Sequence, residues 1–309
     1  MKELCGVLYL DKPAGMTSFD VVNRVRRLYG TRQVGHTGTL DPMATGLLTV
    51  MIGRAVKVSE LLMSERKSYR ATILLGRVTD SGDVTGNLLS ESDLVPDEEA
   101  FFAVLPRFRG KIMQTPPMVS ALKVGGRKLV DLARQGIEIE REPREIEIFS
   151  LEAEKLSGRE YRLDVDCSKG TYIRTLCEDI GSALGCGATM SSLRRTANGS
   201  GEIGLAHTLE EIEKMTEAER IAALRSVEEL FSDCPRVVLP PFFEHLARNG
   251  LEVYQKKIGT DLSVGSLVLL CGEKGFFAIG RVEDFENGSA IRPIRQIVLE
   301  ENAAGKKEE

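Results

Sequence analysis

Long apolar segments are absent from this 309-residue sequence. A membrane-spanning helix needs about 20 consecutive apolar residues, and no segment approaches that length. The longest apolar run near the start, residues 4–10, is interrupted by Gly6 and ended by Asp11, so it is too short for the core of a signal peptide. We therefore expect a cytoplasmic protein that does not associate with membranes.

Metal-binding patterns are absent as well. The six cysteines include no Cys-x-x-Cys pair, and the three histidines are not spaced with them as zinc ligands would be. We expect no metal site. We also expect most of the cysteines to be buried as small apolar side chains in a reducing compartment.

Nucleotide-binding signatures are equally scarce. The sequence has no Gly-x-x-x-x-Gly-Lys-Ser/Thr motif, and it lacks the His-x-Glu and Pro-Cys-x-x-Cys pattern of zinc deaminases. One Gly-x-Gly-x-x-Gly pattern occurs at residues 199–204. It follows the polar segment 194–198 rather than a predicted strand, so we interpret it as a loop, which disfavours a nucleotide-binding enzyme.

Positive charge is in short supply overall but is concentrated at one end. The net charge of −5 argues mildly against a nucleic-acid partner. Residues 1–80, however, carry twelve Lys and Arg against seven Asp and Glu, so this segment has a net charge of +5 and the remainder has −10. Clustered arginines at Arg24, Arg27, Arg194 and Arg195 predict a local basic face that can contact phosphates.

The length and the 42% hydrophobic content predict two domains. The boundary is predicted in the proline-rich segment 234–241. Residues 1–234 alternate between helix and strand patterns. Residues 235–300 carry short apolar strands punctuated by glycines, a pattern typical of a small β-barrel. The polar residues 301–309 are expected to be disordered.

Apolar spacing predicts the individual elements. Strands are predicted at residues 5–10, 47–52, 69–75, 161–165, 264–270, 276–282 and 291–297. Helices are predicted from a cap at Ser18 or Asp20 through residue 28, and at residues 55–63, 97–105, 129–134, 175–184, 209–215, 217–231 and 242–250.

The most informative segment is GHTGTLDPMATGLL at residues 35–48. It combines one His, one carboxylate, three Thr and three Gly, and it continues into the apolar run 47–52. Glycines let the backbone approach a ligand closely, and Thr and Asp supply polar contacts. An isolated Asp41-Pro42 would indicate only a turn. With this surrounding sequence we expect a functional site that holds Asp41 at the edge of a rigid sheet.

This segment resembles the catalytic signature of the TruB family of tRNA pseudouridine synthases. Further motifs of that family occur in the same order, so the resemblance covers nearly the whole chain: DKPAGMTS at 11–18, KSYR at 67–70 with LG at 75–76, TDSGDVTG at 79–86, QTPP at 114–117 with SALK at 120–123, SKGTYIR at 168–174 and LRRT at 193–196.

The resemblance implies an α+β fold. It comprises a pseudouridine synthase domain with a central mixed, largely antiparallel sheet flanked by helices, followed by a C-terminal PUA-like RNA-binding barrel. It also implies that residues 123–144 form an RNA-gripping insertion, in which Lys123, Arg127 and Lys128 suit phosphate contacts. Val130 departs from the aromatic residue that the family commonly has there.

The implied reaction converts a uridine in the TΨC loop of tRNA, at tRNA position 55, to pseudouridine without a cofactor. The resemblance makes Asp41 the catalytic carboxylate, which could add to C6 of uracil, attack C1′, or stabilise a ribose cation while a glycal forms. Arg174 would keep Asp41 ionised and oriented. Tyr69 would stack on the target base and could also act as a base, although an ordinary phenol pKa of ~10 favours stacking.

The remaining site residues carry smaller roles by the same resemblance. The target nucleotide must be extruded from the folded RNA loop, and His36 would take its place unless it is a turn histidine bonded to backbone. Lys12 would contact phosphate or support the structure, Leu193 would pack on the base, and Tyr172 would lie near the pocket. Asp83 would belong to a polar network beside Arg174.

Two other functions remain open at this stage. A guide-RNA-dependent pseudouridine synthase shares the Asp41 segment and a PUA domain, but the 123–144 insertion and the lack of long basic tails favour a stand-alone enzyme. A non-catalytic tRNA chaperone would need basic surfaces but not the Asp41 and Arg174 pair. We therefore expect a monomer that binds the TΨC stem-loop of tRNA and needs no protein partner.

Overall fold

The structure, a computed structural model, describes residues 4–62, 66–93, 96–120 and 122–298. Within these residues, no helix combines the length and the apolar character that a bilayer crossing requires. The strands that the structure describes are β1 (Cys5–Lys12), β2 (Val34–Thr37), β3 (Thr45–Gly53), β4 (Lys67–Leu75), β5 (Arg77–Thr79), β6 (Leu88–Glu91), β7 (Gly110–Gln114), β8 (Lys123–Val124), β9 (Arg127–Lys128), β10 (Arg144–Ser157), β11 (Glu160–Cys167), β12 (Ala188–Asn198), β13 (Gly201–Glu202), β14 (His207–Thr208), β15 (Arg236–Val238), β16 (Val253–Tyr254), β17 (Leu267–Gly272), β18 (Gly275–Phe285) and β19 (Gly288–Gln296).

Helices cover the sheet and connect its strands. They are α1 (Ser18–Leu28), α2 (Ser59–Leu62), α3 (Glu98–Val104), α4 (Leu129–Ala133), α5 (Ile173–Ala183), α6 (Leu209–Lys214), α7 (Glu217–Ala222), α8 (Pro241–Arg248) and α9 (Gln255–Ile258). Short 3-10 helices occur at Arg54–Val58, Leu105–Phe108, Ile203–Leu205 and Glu228–Phe231.

Ten of the described strands form one mixed sheet in the order β14-β1-β3-β12-β4-β11-β10-β7, with β2 added to β3 and β13 added to β12. Its pairs are antiparallel except for β1 with β14 and β3 with β12. The predicted α+β class with a largely antiparallel mixed sheet is therefore confirmed.

The central strands are buried because both of their faces are covered. On β1, Leu8 and Leu10 pack with the apolar positions of α1 and α6, whereas Val7 and Tyr9 face a different cluster on the other side. Successive strand residues point to opposite faces, so this alternation requires apolar residues throughout β1. Another cluster packs α3 and α5 on β4, β10 and β11.

Three details of the predicted helices are wrong. The N-cap of α1 is Thr17, which forms a capping box with Asp20, so neither Ser18 nor Asp20 is the cap. The predicted helix 55–63 is a 3-10 turn followed by the four-residue α2, and residue 63 lies outside the described residues. The predicted helix 217–231 is broken after α7, where Arg225 forms a backbone bridge with Val7 before the 3-10 helix at Glu228–Phe231 begins.

The interpretation of segment 194–198 is also wrong, because its polar residues obscure a central strand. It forms the second half of β12, which lies between β3 and β4. The glycines that follow lead into β13 and a 3-10 turn rather than a helix, so the structure gives this pattern no phosphate-binding helix.

The C-terminal part is a curled sheet that forms a half-barrel, consistent with the PUA-like domain expected there. Five described strands run in the order β15-β17-β18-β19-β16. Leu269 and Ile279 of this sheet pack in one apolar cluster with Val7, Met51 and Phe231 of the first part. The half-barrel therefore shares core contacts with the main sheet. The domain boundary at residue 234 stays a prediction, and the tail 301–309 lies outside the described residues.

The expected burial of most cysteines is confirmed. All six are free thiols, and Cys167, Cys177, Cys186 and Cys271 are buried.

Candidate active site

Asp41 lies in the loop between β2 and β3, and buried contacts hold the backbone on both sides of it. Before it, the buried Ser18 hydroxyl accepts from Leu40 N at 2.9 Å and donates to Leu40 O at 3.1 Å. After it, Pro42 O accepts from Gly15 N at 2.8 Å. Asp41 O accepts from Ala44 N at 3.0 Å, so the segment forms the turn that Asp-Pro also predicts. The carboxylate is thus presented from a fixed turn.

The buried Lys12 side chain supports the same turn. Its ammonium donates to Pro13 O at 2.8 Å, Met16 O at 2.6 Å and Pro42 O at 3.2 Å. Burial lowers the pKa of Lys12 from its ordinary value to about 8, although the Asp41 charge opposes this shift. Of the two roles expected for Lys12, this geometry favours structural support over a phosphate contact.

Arg174 binds Asp41 through two nitrogens. Its Nε lies 2.9 Å from Asp41 Oδ2, and its Nη2 donates to Asp41 Oδ1 at 3.4 Å. The Arg174 side chain is only 3% exposed, whereas Asp41 retains 34% exposure. The arginine also donates to Ser81 O at 2.8 Å and to Val119 O at 2.7 Å. A guanidinium held in this way orients a carboxylate that still faces solvent on its outer side.

The start of α5 places Arg174. Gln114, at the end of β7, accepts from Tyr172 N at 2.8 Å and donates to Tyr172 O at 3.1 Å. Asp83 lies behind the arginine, with Oδ2 3.9 Å from Arg174 Nε. The other oxygen of Asp83 accepts from the Ser81 hydroxyl and from Thr85 N. The expected network beside Arg174 is therefore present in the geometry.

A cavity of about 350 Å³ opens beside Asp41. Its volume suits a ligand of the size of a nucleobase with its ribose. Four predicted site residues other than Asp41 line it together with Arg195 and Lys67: Tyr69, Tyr172, Arg174 and Leu193.

Tyr69 is a buried residue of β4 that faces this cavity. Burial raises the pKa of the Tyr69 phenol, and the nearby Arg195 guanidinium opposes that shift. A phenol with a raised pKa is a poor base at neutral pH, so the geometry favours stacking over proton removal for Tyr69.

Comparison with known proteins identifies the family of this chain. Residues 26–173 match the TruB family pseudouridylate synthase N-terminal domain, and residues 174–232 match the tRNA pseudouridylate synthase B C-terminal domain. The tRNA pseudouridine synthase B of Azoarcus sp. is 45% identical over 96% of this chain and 95% of its own length. That of Methylobacillus flagellatus is 41% identical over 95% of both chains. The chain belongs to the TruB family of pseudouridylate synthases.

Solved structures agree with this assignment. A structure of an H/ACA RNP bound to a substrate RNA containing 2′-deoxyuridine has 25% sequence identity and a TM-score of 0.71, over 96% of this chain and 86% of the matched chain. A Cbf5-Nop10-Gar1 complex has 28% sequence identity and a TM-score of 0.71, over 94% of this chain and 84% of the matched chain. As a TruB family member, the protein is an enzyme that isomerises uridine to pseudouridine in RNA, and its pseudouridine synthase fold is confirmed.

Other residues predicted for the TruB site lie outside the cavity lining. His36 is on β2, opposite Val50, and its buried Nδ1 has no hydrogen-bond partner in the described part of the chain. Burial lowers the pKa of His36, with a smaller contribution from Arg195, so the ring is neutral at pH 7. Its role as the residue that replaces the flipped base stays a prediction.

The predicted phosphate contacts of the insertion are described only in part. β8 and β9 form a two-stranded ribbon, and the exposed Arg127 on it donates to Gln135 at 2.7 Å. The side chains of Lys123 and Lys128 lie outside what the structure describes. The insertion is joined to the site because Val130 N donates to Ser120 O at 3.0 Å, and Ser120 lines the cavity.

The expected basic face is partly neutralised. A second, larger cleft of about 740 Å³ is lined by Lys12 and by residues of α1 and α6. There Arg24 pairs with Glu213, and Arg194 binds both oxygens of Asp11 at 3.0 and 2.6 Å. This cleft contains paired acidic and basic side chains and is not lined by Asp41, so the smaller cavity beside Asp41 is the candidate active site.

Arg195 is the residue whose place sequence reasoning missed. Because arginine is charged, sequence reasoning places Arg195 on the surface with the other arginines. In the structure it is fully buried, so it cannot contact a phosphate on the outer face. On β12 it follows Leu193 by two positions, so the two side chains share one face of the strand and both line the cavity. That alternation was the signal available in the sequence.

Proposed function

We propose that this protein isomerises the uridine at position 55, in the TΨC loop of tRNA, to pseudouridine, with Asp41 as the catalytic carboxylate. The observation that carries the proposal is the two-nitrogen contact of the buried Arg174 with the partly exposed Asp41 at a cavity lined by Tyr69 and Leu193. The matched relatives are named tRNA pseudouridine synthase B, which supports tRNA as the substrate.

The reaction breaks the N1–C1′ bond, turns the uracil and joins C5 to C1′. Arg174 orients the Asp41 carboxylate, which can act as a nucleophile or as the partner of positive charge on the ribose. Tyr69 and Leu193 are placed to hold the detached base by stacking and packing, which keeps it from leaving before the new bond forms. The substrate nucleotide has to be flipped out of the RNA loop to enter a cavity of this size.

The direct test is to incubate the purified chain alone with a tRNA transcript and to map pseudouridine by mass spectrometry after nuclease digestion. We expect one pseudouridine, at position 55. A product at another position would overturn the assignment of the TΨC loop, and no product would overturn the stand-alone reaction.

A guide-RNA-dependent reaction is the second candidate, since the structural neighbours at a TM-score of 0.71 are parts of H/ACA and Cbf5 assemblies. The same experiment separates the two functions, because a guide-dependent enzyme would leave the transcript unmodified until guide RNA and partner proteins were added. We propose the stand-alone form, acting as a monomer without a cofactor. The tRNA pseudouridine synthase B relatives match this chain over almost their full length.

A further inference from the structure

Arg195 is a buried cation that has no anionic partner among the described residues. Its Nε donates to Leu47 O at 2.7 Å and its Nη2 to Gly38 O at 3.0 Å, both of which are uncharged carbonyls. Among the described residues, no carboxylate lies within ion-pair distance of it. Its positive charge contributes to lowering the pKa of both Lys12 and His36. Burying an unpaired charge costs several kcal/mol, so the position calls for an explanation beyond stability.

The Arg195 guanidinium lies in the wall of the cavity, where it hydrogen-bonds the side chain of Tyr69. In the described part of the chain, Nη1 donates to neither a carbonyl nor a carboxylate. It lies 3.1 Å from the point that a side chain at Gly38 would occupy, and Gly38 lines the cavity with Tyr69 and Leu193. Gly38 has φ +75°, a conformation that favours glycine, and a Cβ at this position would crowd Arg195 Nη1.

The reaction produces an anion at this location. When the N1–C1′ bond breaks, its electron pair stays on N1 and is delocalised onto O2 and O4 of the ring. The ribose carbon either bonds to an Asp41 oxygen or becomes part of a glycal as C2′ loses a proton. An electron pair of this anion later forms the C5–C1′ bond, either as the bond between C1′ and the Asp41 oxygen breaks and its electrons return to the carboxylate, or as C2′ of the glycal regains its proton. C5 then loses its proton, and N1 gains one. The detached uracil is therefore negatively charged between the two bond changes.

We propose that Arg195 is a catalytic residue that stabilises the negative charge on the detached uracil. The inference rests on the proposed function. It gives the two buried cations of the site different tasks: Arg174 orients the carboxylate that acts on the ribose, and Arg195 faces the base as leaving group. A preorganised donor aimed at charge that develops in the transition state is worth ~10²–10³ in rate.

The test compares two leaving groups in single-turnover reactions. One tRNA carries uridine and the other 5-fluorouridine at the target position, and the loss of the target nucleoside is followed after digestion. Fluorine stabilises the uracil anion, so cleavage of 5-fluorouridine needs less help from the protein. We expect Arg195→Met to slow the uridine reaction about a hundredfold and the 5-fluorouridine reaction less than about tenfold. Arg195→Lys, which keeps the charge, should lie between wild type and Met.

Arg162→Met is the matched control, because Arg162 is an ion-paired arginine of β11 outside the cavity. It should leave both rates unchanged. Equal losses for both nucleosides in Arg195→Met would mean that Arg195 is only structural and would overturn the proposal. Wild-type conversion of the uridine tRNA is measured in the same series, so failure of the proposed function would be seen separately.

A second measurement needs no variant and therefore no folding control. 5-Nitrouracil is a base whose anion has its own absorption spectrum. At a pH near the midpoint of the titration of free 5-nitrouracil, saturating wild-type protein should shift the absorption spectrum toward that of the anion. An unchanged spectrum, or a shift toward the neutral form, would contradict an anion-stabilising site.

Discussion

Arg174 and Asp41 are joined by two contacts, Nε to Oδ2 at 2.9 Å and Nη2 to Oδ1 at 3.4 Å, although 133 residues separate them along the chain. The buried arginine binds two backbone carbonyls as well, so its position is fixed independently of the carboxylate. The pair is therefore preorganised before RNA arrives. Its geometry makes the loss of the Asp41 charge the most informative single change.

We expect Asp41→Asn to bind tRNA within about tenfold of wild type, a difference of ~1.4 kcal/mol, yet to release no tritium from C5-labelled uridine. The amide keeps the shape but loses the negative charge and the nucleophilicity. Filter binding and tritium release, measured on the same preparation, check the two halves. Substantial release, after deamidation back to Asp has been excluded, would remove Asp41 from the chemistry. A tRNA chaperone without catalysis would release no tritium even as wild type.

Tyr69 should act through its ring rather than its hydroxyl. Tyr69→Phe should keep tRNA affinity and retain more turnover than Tyr69→Leu. Burial raises the pKa of the Tyr69 phenol, so raising the pH from about 7 to about 9 leaves it protonated and should not accelerate the wild type through this group. Single-turnover rates of the three proteins across this range provide the measurement. Equal inactivity of the Phe and Leu variants would make the hydroxyl essential.

The sequence was sufficient for the elements whose periodicity is regular and for the residues that carry recognisable motifs. The strand at residues 47–52 and the pairing of Asp41 with Arg174 could be predicted in this way. The strand at residues 194–198 could not, because its buried face holds Arg195, a charged residue that local pattern assigns to the surface. Its burial depends on carbonyls of Gly38 and Leu47, about 150 residues earlier, which no local pattern encodes.

The insertion should contribute phosphate contacts to tRNA binding. Changing Lys123, Arg127 and Lys128 together to Ala should flatten the slope of log affinity against log salt by as much as ~0.9 for each phosphate that the variant no longer neutralises. Arg107→Ala, a change to an exposed arginine in the 3-10 helix that follows α3, serves as the control. An unchanged slope in the triple variant would place the phosphate contacts elsewhere.

Removal of the half-barrel should destabilise the part that remains. Deleting residues 236–309 takes Leu269 and Ile279 away from Val7, Met51 and Phe231, and exposed apolar surface costs ~25 cal/mol per Å². We expect a lower melting temperature and weaker tRNA binding, while the catalytic residues, all before position 234, still modify a minimal TΨC stem-loop at low temperature. Calorimetry and mass mapping check the two claims. An unchanged melting temperature would show that the shared cluster is not needed for stability.

Ser18 and Thr17 are adjacent hydroxyls at the start of α1, and the structure gives them different tasks. Ser18 binds the backbone of Leu40, next to Asp41, through two buried hydrogen bonds, whereas Thr17 caps the helix at an exposed position. Ser18→Ala leaves Leu40 N and O without these partners, which should cost about 1–3 kcal/mol of stability and lower kcat with little change in tRNA affinity. Thr17→Ala should cost ~1 kcal/mol because the helix is no longer capped, and it should leave kcat unchanged. Urea unfolding measures the stability of the two variants, and single-turnover reactions measure their rates. If Ser18→Ala is destabilised but keeps the same rate as Thr17→Ala, the contact with Leu40 only supports the fold.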